Sequence, residues 1–175
     1  DGAPADHRHP FYYACNSFCD HEIGRVMEAV DAHAPGALVV HTSDHGDMFM
    51  SHGLSGKGPA MYEEIARIPL IVRWPGMAPT ASNSAELASH IDLVPTFLEF
   101  FGRDVPPVLH GRSLLSRFRN PGETERDAVF IDFNRFEIDH DGFGAFHPIR
   151  CVRDRRHKLA STLLDTDELY DLEAD

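Results

Sequence analysis

Ser43-Asp44-His45-Gly46-Asp47 is the segment of this chain best equipped for chemistry. A carboxylate and an imidazole in tandem can both reach one divalent cation. Gly46 lets the backbone turn sharply beside them. Taken alone, the tripeptide Asp44-His45-Gly46 reads as well as a capping Asp followed by a hydrogen-bonded His. Lys57 stands between Gly56 and Gly58, where backbone and ligand can approach closely. By itself it reads as a solvated surface charge. His52 lies between these two segments and can face the same site. Histidine is plentiful, twelve in 175 residues, and His with Asp is the vocabulary of metal sites.

Other reactive residue types are better given structural readings. Cys15, Cys19 and Cys151 are an odd, sparse set, which argues against a disulfide framework and favours a reducing, cytoplasmic compartment. Nothing else in the chain speaks to location. Cys15 and Cys19 fall on the apolar stripe of a helix, so burial explains them better than a metal site with His21. Asp92 reads as a helix cap. Tyr62, Glu63 and Glu64 read as packing and salt-bridge residues. The loop from Asn134 to Pro148 holds Asp139, His140, Asp141 and His147; it reads as a pocket cover or as an ordinary solvated loop. A net charge of −12 with no basic stripe excludes nucleic acid as a partner. There is no apolar run of about 18 residues, so no membrane span is expected.

The elements that must position these groups follow from periodicity. Phe11 to His33 is helical, with Cys15, Cys19, Ile23, Val26 and Val30 as one stripe to be buried, and Pro35-Gly36 stops it. Ala37 to Thr42 and Ile68 to Trp74 are short apolar runs bounded by turn signals, as in strands of a parallel sheet covered on both faces. Asp44 and His45 therefore emerge at the carboxyl end of a strand, where open α/β sheets bind ligands. A helix is expected over Ala60 to Ile65. Another is expected from Asp92 to Phe101, with Leu93, Phe97, Phe100 and Phe101 as its core face. Val129 to Phe133, Ile149 to Val152 and His157 to Ala160 read as strands in series, with Asp154-Arg155-Arg156 as a turn. The fold class is α/β: part of a mostly parallel central sheet flanked by helices over residues 1–120, then a small antiparallel sheet over 121–175.

Ser43 to Gly76 resembles the second signature region of the type I sulfatases, in the alkaline phosphatase superfamily. There a strand ends in Ser-Asp-His/Asn-Gly, a lysine follows in a Gly-Lys context, and a Tyr-Glu-Glu helix leads into Ile/Val-Pro-Leu-Ile and Pro-Gly. The likeness continues in the family's order. Phe18 to Gly24 resembles its Asp-x-x-Ile/Val-Gly helix, and Ser89 to Leu98 its Asp-x-x-Pro-Thr helix. His110 to Leu115 resembles its Gly-x-Ser-Leu segment. Arg150 to Lys158 and Glu168 to Glu173 resemble its lysine strand and Glu-Leu-Tyr-Asp-Leu motif.

The resemblance implies a hydrolase of sulfuric esters acting on a small-molecule or saccharide sulfate. It implies that Asp44 binds metal, that His45 binds metal or the ester oxygen, and that Lys57 contacts the sulfate and the leaving oxygen. It implies a divalent metal, calcium ahead of manganese or zinc. The family's nucleophile is a formylglycine made from Cys or Ser in a Cys/Ser-x-Pro/Ala-x-Arg motif, near a paired-Asp strand. Neither occurs in this chain; Cys151 starts Cys-Val-Arg-Asp-Arg, which lacks the Pro or Ala. An upstream segment bearing them is expected, because the chain opens at Asp1 without Met, and the 175 residues alone are expected to be inactive. Two other readings stay open: a phosphonate monoester or phosphodiester hydrolase of the same superfamily, and a non-catalytic binding module that keeps the fold.

Overall fold

The computed structural model describes residues 8–76, 83–120, 126–135 and 146–174. The chain divides into two compact units: Asp1–Val39 with Arg73–Pro75, and Val40–Val72 with Gly76–Asp175.

The first unit is dominated by α1, Arg8–His33. The helix closes at Pro35-Gly36, where Ala37 N–H donates to Ala34 O at 3.0 Å. Arg73 pairs with Asp31 at 2.8 Å. The apolar stripe does not behave as expected: Cys15 and Cys19 are exposed, and so are Ile23 and Val26. A helix buries a stripe only against a neighbour, and the described residues of this unit hold no second helix to serve as one.

The second unit opens with β1 (Val39–Thr42) and β2 (Leu70–Arg73), which lie in it except for their end residues Val39 and Arg73; they hydrogen-bond as a two-stranded sheet, with α2 (Glu63–Ala66) between them in sequence. Downstream come α3 (Leu93–Phe100) and α4 (Leu115–Arg119). A four-stranded antiparallel meander closes the chain: β3 (Val129–Arg135), β4 (Phe146–Arg153), β5 (His157–Thr162) and β6 (Glu168–Asp171). The small C-terminal antiparallel sheet is thus present, four strands in sequential order. Asp154 forms the β4–β5 turn, its carboxylate accepting from the N–H groups of Arg156 and His157. Alternation along β4 and β5 turns Ile149, Cys151, Lys158 and Ala160 inward. Met61, just ahead of α2, joins Ile149, Cys151 and Ala160 in the core, with Ile131 and Phe133 packed against it.

The start of α3 differs from expectation in a telling way. Its buried face is Asp92, Pro95 and Thr96, whereas Phe97 and Phe101 are exposed. Asp92 stands at the N-cap position of α3, as expected, but its side chain makes no cap bond to that helix; it serves the preceding 3-10 turn, His90–Asp92. Ser89 caps that turn, and Asp92 closes its capping box by accepting from Ser89 N–H at 2.8 Å. Its other partners are Arg112 N–H at 2.8 Å and Arg126, which grips both oxygens at 2.7 and 2.8 Å. Burial pushes the Asp92 carboxyl up, but Arg126 and the two backbone donors outweigh that and hold it below its ordinary value. Thr96 Oγ accepts from Leu114 N–H at 2.9 Å. Gly111 lies so close to Ile91 that a Cβ there would meet its carbonyl oxygen at 1.9 Å. No described helix is long and apolar enough to cross a membrane.

Candidate functional site

The strand β1 delivers Ser43 to Asp47 at its carboxyl end. Two contacts hold this loop from either side. His90 Nε2 donates to Ser43 O at 2.8 Å. Gly46 N–H donates to Ile65 O, in α2, at 2.9 Å. Gly46 earns its place by this approach: a Cβ there would meet Glu64 O at 1.8 Å. It was expected to supply a turn, yet its φ is not positive; the requirement is room rather than an unusual dihedral.

Asp44 and His45 face each other within the loop. Asp44 Oδ1 accepts from His45 N–H at 3.0 Å, the main cause of a carboxyl held below its ordinary value. The side chain is 82% exposed, so it is open to a ligand. His45 Nδ1 lies 2.8 Å from Gly46 O. A carbonyl only accepts, so Nδ1 carries the proton. Nε2 is then left with its lone pair unless a second proton or a cation occupies it, and it lies 3.2 Å from Asp44 Oδ2. A histidine whose far nitrogen donates to a backbone carbonyl is the usual second-shell arrangement of a metal ligand. The pair therefore suits a shared cation. It supplies only two donors, and no group of three or more His, Cys, Asp or Glu able to hold a metal occurs among the described residues.

Beyond the loop, Asp47 accepts from Phe49 N–H at 2.8 Å. Phe49, Met50 and His52 then adopt left-handed φ of 42°, 72° and 54°. Such values are uncommon away from glycine and must be held by their surroundings. His52 is fixed by stacking on Tyr62, with centroids 4.5 Å apart, and its Nε2 lies 3.9 Å from Glu64.

Lys57 is exposed, on the wall of a cavity of ≈ 380 Å³ whose floor includes Met48, Met61 and Ile149. His147, from the start of β4, lines it too; Asp139, His140 and Asp141 lie outside the described residues. Asp44 and His45 are not among the lining residues. Cys151 is buried, and burial pushes its thiol up, so it is shielded and un-ionised.

Sequence reasoning passed over the partners of α2. Glu63, expected as a salt-bridge residue, receives Lys158 Nζ at 3.2 Å and Arg153 Nη2 at 3.2 Å. Lys158 is 2% exposed and sits 4.9 Å above the Tyr170 ring. The inward register of Lys158, two residues before Ala160 on β5, is the signal that could have found it. Nothing local marked His90.

Residues 51–175 match the family described as N-sulphoglucosamine sulphohydrolase, C-terminal. The chain is 42% identical to an uncharacterised sulfatase of Escherichia coli, over 94% of this chain and 32% of that protein. It is similar to a solved structure in complex with its substrate D-glucosamine-2-N,6-O-disulfate, at TM-score 0.78 and 31% identity, over 89% of this chain and 32% of that one. A phosphonate monoester hydrolase from Silicibacter pomeroyi matches at TM-score 0.71 and 29% identity, over 89% of this chain and 33% of that one. The chain spans about a third of the length of these relatives. Taken together, the matches place this chain in the sulfatase family, within its C-terminal region.

Proposed function

We propose that the full-length protein hydrolyses sulfuric esters, with this chain supplying part of the metal site and one cationic substrate contact. The observation that carries the reading is the Asp44–His45 pair: an exposed carboxylate oxygen and a ring nitrogen 3.2 Å apart, in a sulfatase-family chain. Asp44 and His45 would hold the cation, here taken to be calcium, with the remaining ligands drawn from outside this chain. When bound, the cation stabilises negative charge on the sulfuryl oxygens. Gly46 O keeps the Nδ1 proton in place, so Nε2 faces the site. The Lys57 ammonium would meet the sulfate and the leaving oxygen, where charge grows as the S–O bond breaks. His52, held against Tyr62, is the further substrate contact. β1 and β2 would belong to a mostly parallel central sheet. The nucleophile, a formylglycine, would lie outside these 175 residues, so the chain alone should be inactive.

A relative's substrate, D-glucosamine-2-N,6-O-disulfate, supports a sulfated sugar as the leaving group. The likeness to a phosphonate monoester hydrolase supports a second reading, since the two ester classes share tetrahedral geometry. The test is a panel of aryl sulfate, sulfated glucosamine, phosphodiester and phosphonate monoester, assayed on the full-length protein before and after chelation. The expected result is highest kcat/KM on a sulfate ester, lost on chelation and restored by calcium. Preference for the phosphonate would establish the second reading. Restoration by manganese or zinc but not calcium would overturn the choice of cation.

A further inference from the structure

Lys158 is the least expected charge in the molecule. It is 2% exposed, on the inner face of β5 two residues before the core residue Ala160. A buried ammonium is costly unless paired, and Glu63 pairs it at 3.2 Å. The second oxygen of Glu63 is taken by Arg153 of β4 at 3.2 Å. Glu63 is the first residue of a four-residue helix, too short to hold its own position in water. The sheet therefore fixes α2 through this carboxylate. Two residues on, Ile65 O receives Gly46 N–H at 2.9 Å, and Glu64 O lies against Gly46 with no room for a methyl group. Gly46 O in turn holds His45 Nδ1 at 2.8 Å. An unbroken series of short contacts thus runs from Lys158 and Arg153 through Glu63, α2 and Gly46 to the His45 ring.

We propose that the buried Lys158–Glu63 pair, backed by Arg153, is a positioning device that sets the His45 ring against Asp44 for metal binding. The inference rests on the reading of Asp44 and His45 as metal ligands. Neither Lys158 nor Glu63 touches the cation; they act through α2. Burial pushes the Glu63 carboxyl up, while Arg153 and Lys158 outweigh this and hold it below its ordinary value, so the carboxylate is ionised.

The experiment uses metal-stripped full-length protein and measures calcium affinity by competition with a chromophoric chelator, alongside thermal unfolding. Lys158→Met and Glu63→Gln should each weaken calcium binding about 10- to 100-fold, as loss of an outer-shell partner does. Lys158→Arg, which keeps the charge, should recover most of that loss. If Lys158→Met gives no folded protein, Glu63→Gln carries the test, because the amide keeps the side chain's shape. A fall in melting temperature with unchanged calcium affinity would overturn the proposal and leave the pair a purely structural contact. Asp44→Asn separates the two layers of reasoning. If it abolishes binding while Lys158→Met and Glu63→Gln do not weaken it, the positioning role alone is wrong. If Asp44→Asn itself binds calcium normally, the ligand reading is wrong and the positioning proposal falls with it.

Discussion

Replacing Gly46 with Ala tests the geometry of the loop with one methyl group. The added Cβ would lie 1.8 Å from Glu64 O, 2.9 Å from Glu64 C and 3.3 Å from Ile65 Cα. All three are backbone atoms, so no flexible side chain can yield. Loop and helix must separate by roughly 1.2 Å before the closest contact is even tolerable. That movement stretches the 2.9 Å bond from Gly46 N–H to Ile65 O beyond hydrogen-bonding range. Overpacking costs about 1–3 kcal/mol, and the lost hydrogen bond about 1 kcal/mol more. Because Gly46 O also orients His45, a shift of about 1 Å should reach the chemistry, and misplacement of that size costs on the order of 100-fold in rate. The full-length Gly46→Ala protein should therefore lose about 2–4 kcal/mol in urea unfolding. Its kcat/KM on an aryl sulfate should fall by about 100-fold at saturating metal. Gly36→Ala is the control, since its Cβ meets nothing within 4 Å and its φ is not positive. Equal stability for the two variants would refute the close-approach argument. Equal stability with equal activity would also detach α2 from the site.

Arg126→Ala should remove the guanidinium that grips both oxygens of a fully buried carboxylate, leaving it two backbone donors, and cost about 3–5 kcal/mol at pH 7. The folded Asp92 carboxyl titrates below its unfolded value, so the pair's contribution is complete above the unfolded pKa and fades as pH falls through the folded one. The gap between wild type and variant should thus narrow in unfolding measured below about pH 4; a constant gap would show that Arg126 acts by packing alone. Lys57→Ala should lower sulfate-ester turnover about 100- to 1000-fold with little change in melting temperature, because Lys57 is exposed; near-normal turnover would remove it from the site. Cys151, buried with its thiol pushed up, should resist iodoacetamide in native protein and react only on unfolding, as read by mass spectrometry of the digest.

Much of the local structure was legible because its signals are local. The apolar run before Ser43 and the turn residues after it place Asp44 and His45 at a strand end, and β1 ends at Thr42. The first three strands of the meander were readable from alternation and from Asp154 at a turn, whereas β6 was not read as a strand. Two readings went astray for one physical reason. The stripe on α1 and Phe97 and Phe101 at α3 were assigned to a core by periodicity, but periodicity states only that a face is apolar. Around α3 the burial goes instead to Pro95 and to Asp92 and Thr96, whose side-chain oxygens accept from the backbone N–H groups of Arg112 and Leu114. A polar side chain with its partners supplied is as good a core residue as a phenylalanine. Those partners lie 18 to 34 residues away, where no pattern in a short window can find them.

The loop carrying Asp44 and His45 is also fixed by groups distant in sequence. Ser43 O is held by His90, the residue after the Ser89 cap and two before the buried Asp92. Gly46 N–H is held by Ile65, two residues after the paired Glu63. On each side, then, the group that touches the loop sits within two residues of a carboxylate whose partner cation is drawn from far along the chain: Arg126 for Asp92, Lys158 for Glu63. Hydrophobic packing alone leaves a short helix free to slide by an ångström at small cost. A carboxylate gripped by directed donors does not slide, because losing the donors leaves a charge half or wholly out of water. An exposed Asp–His pair has to be held at a fixed separation without being buried itself, and ion pairs placed one step behind it meet both demands.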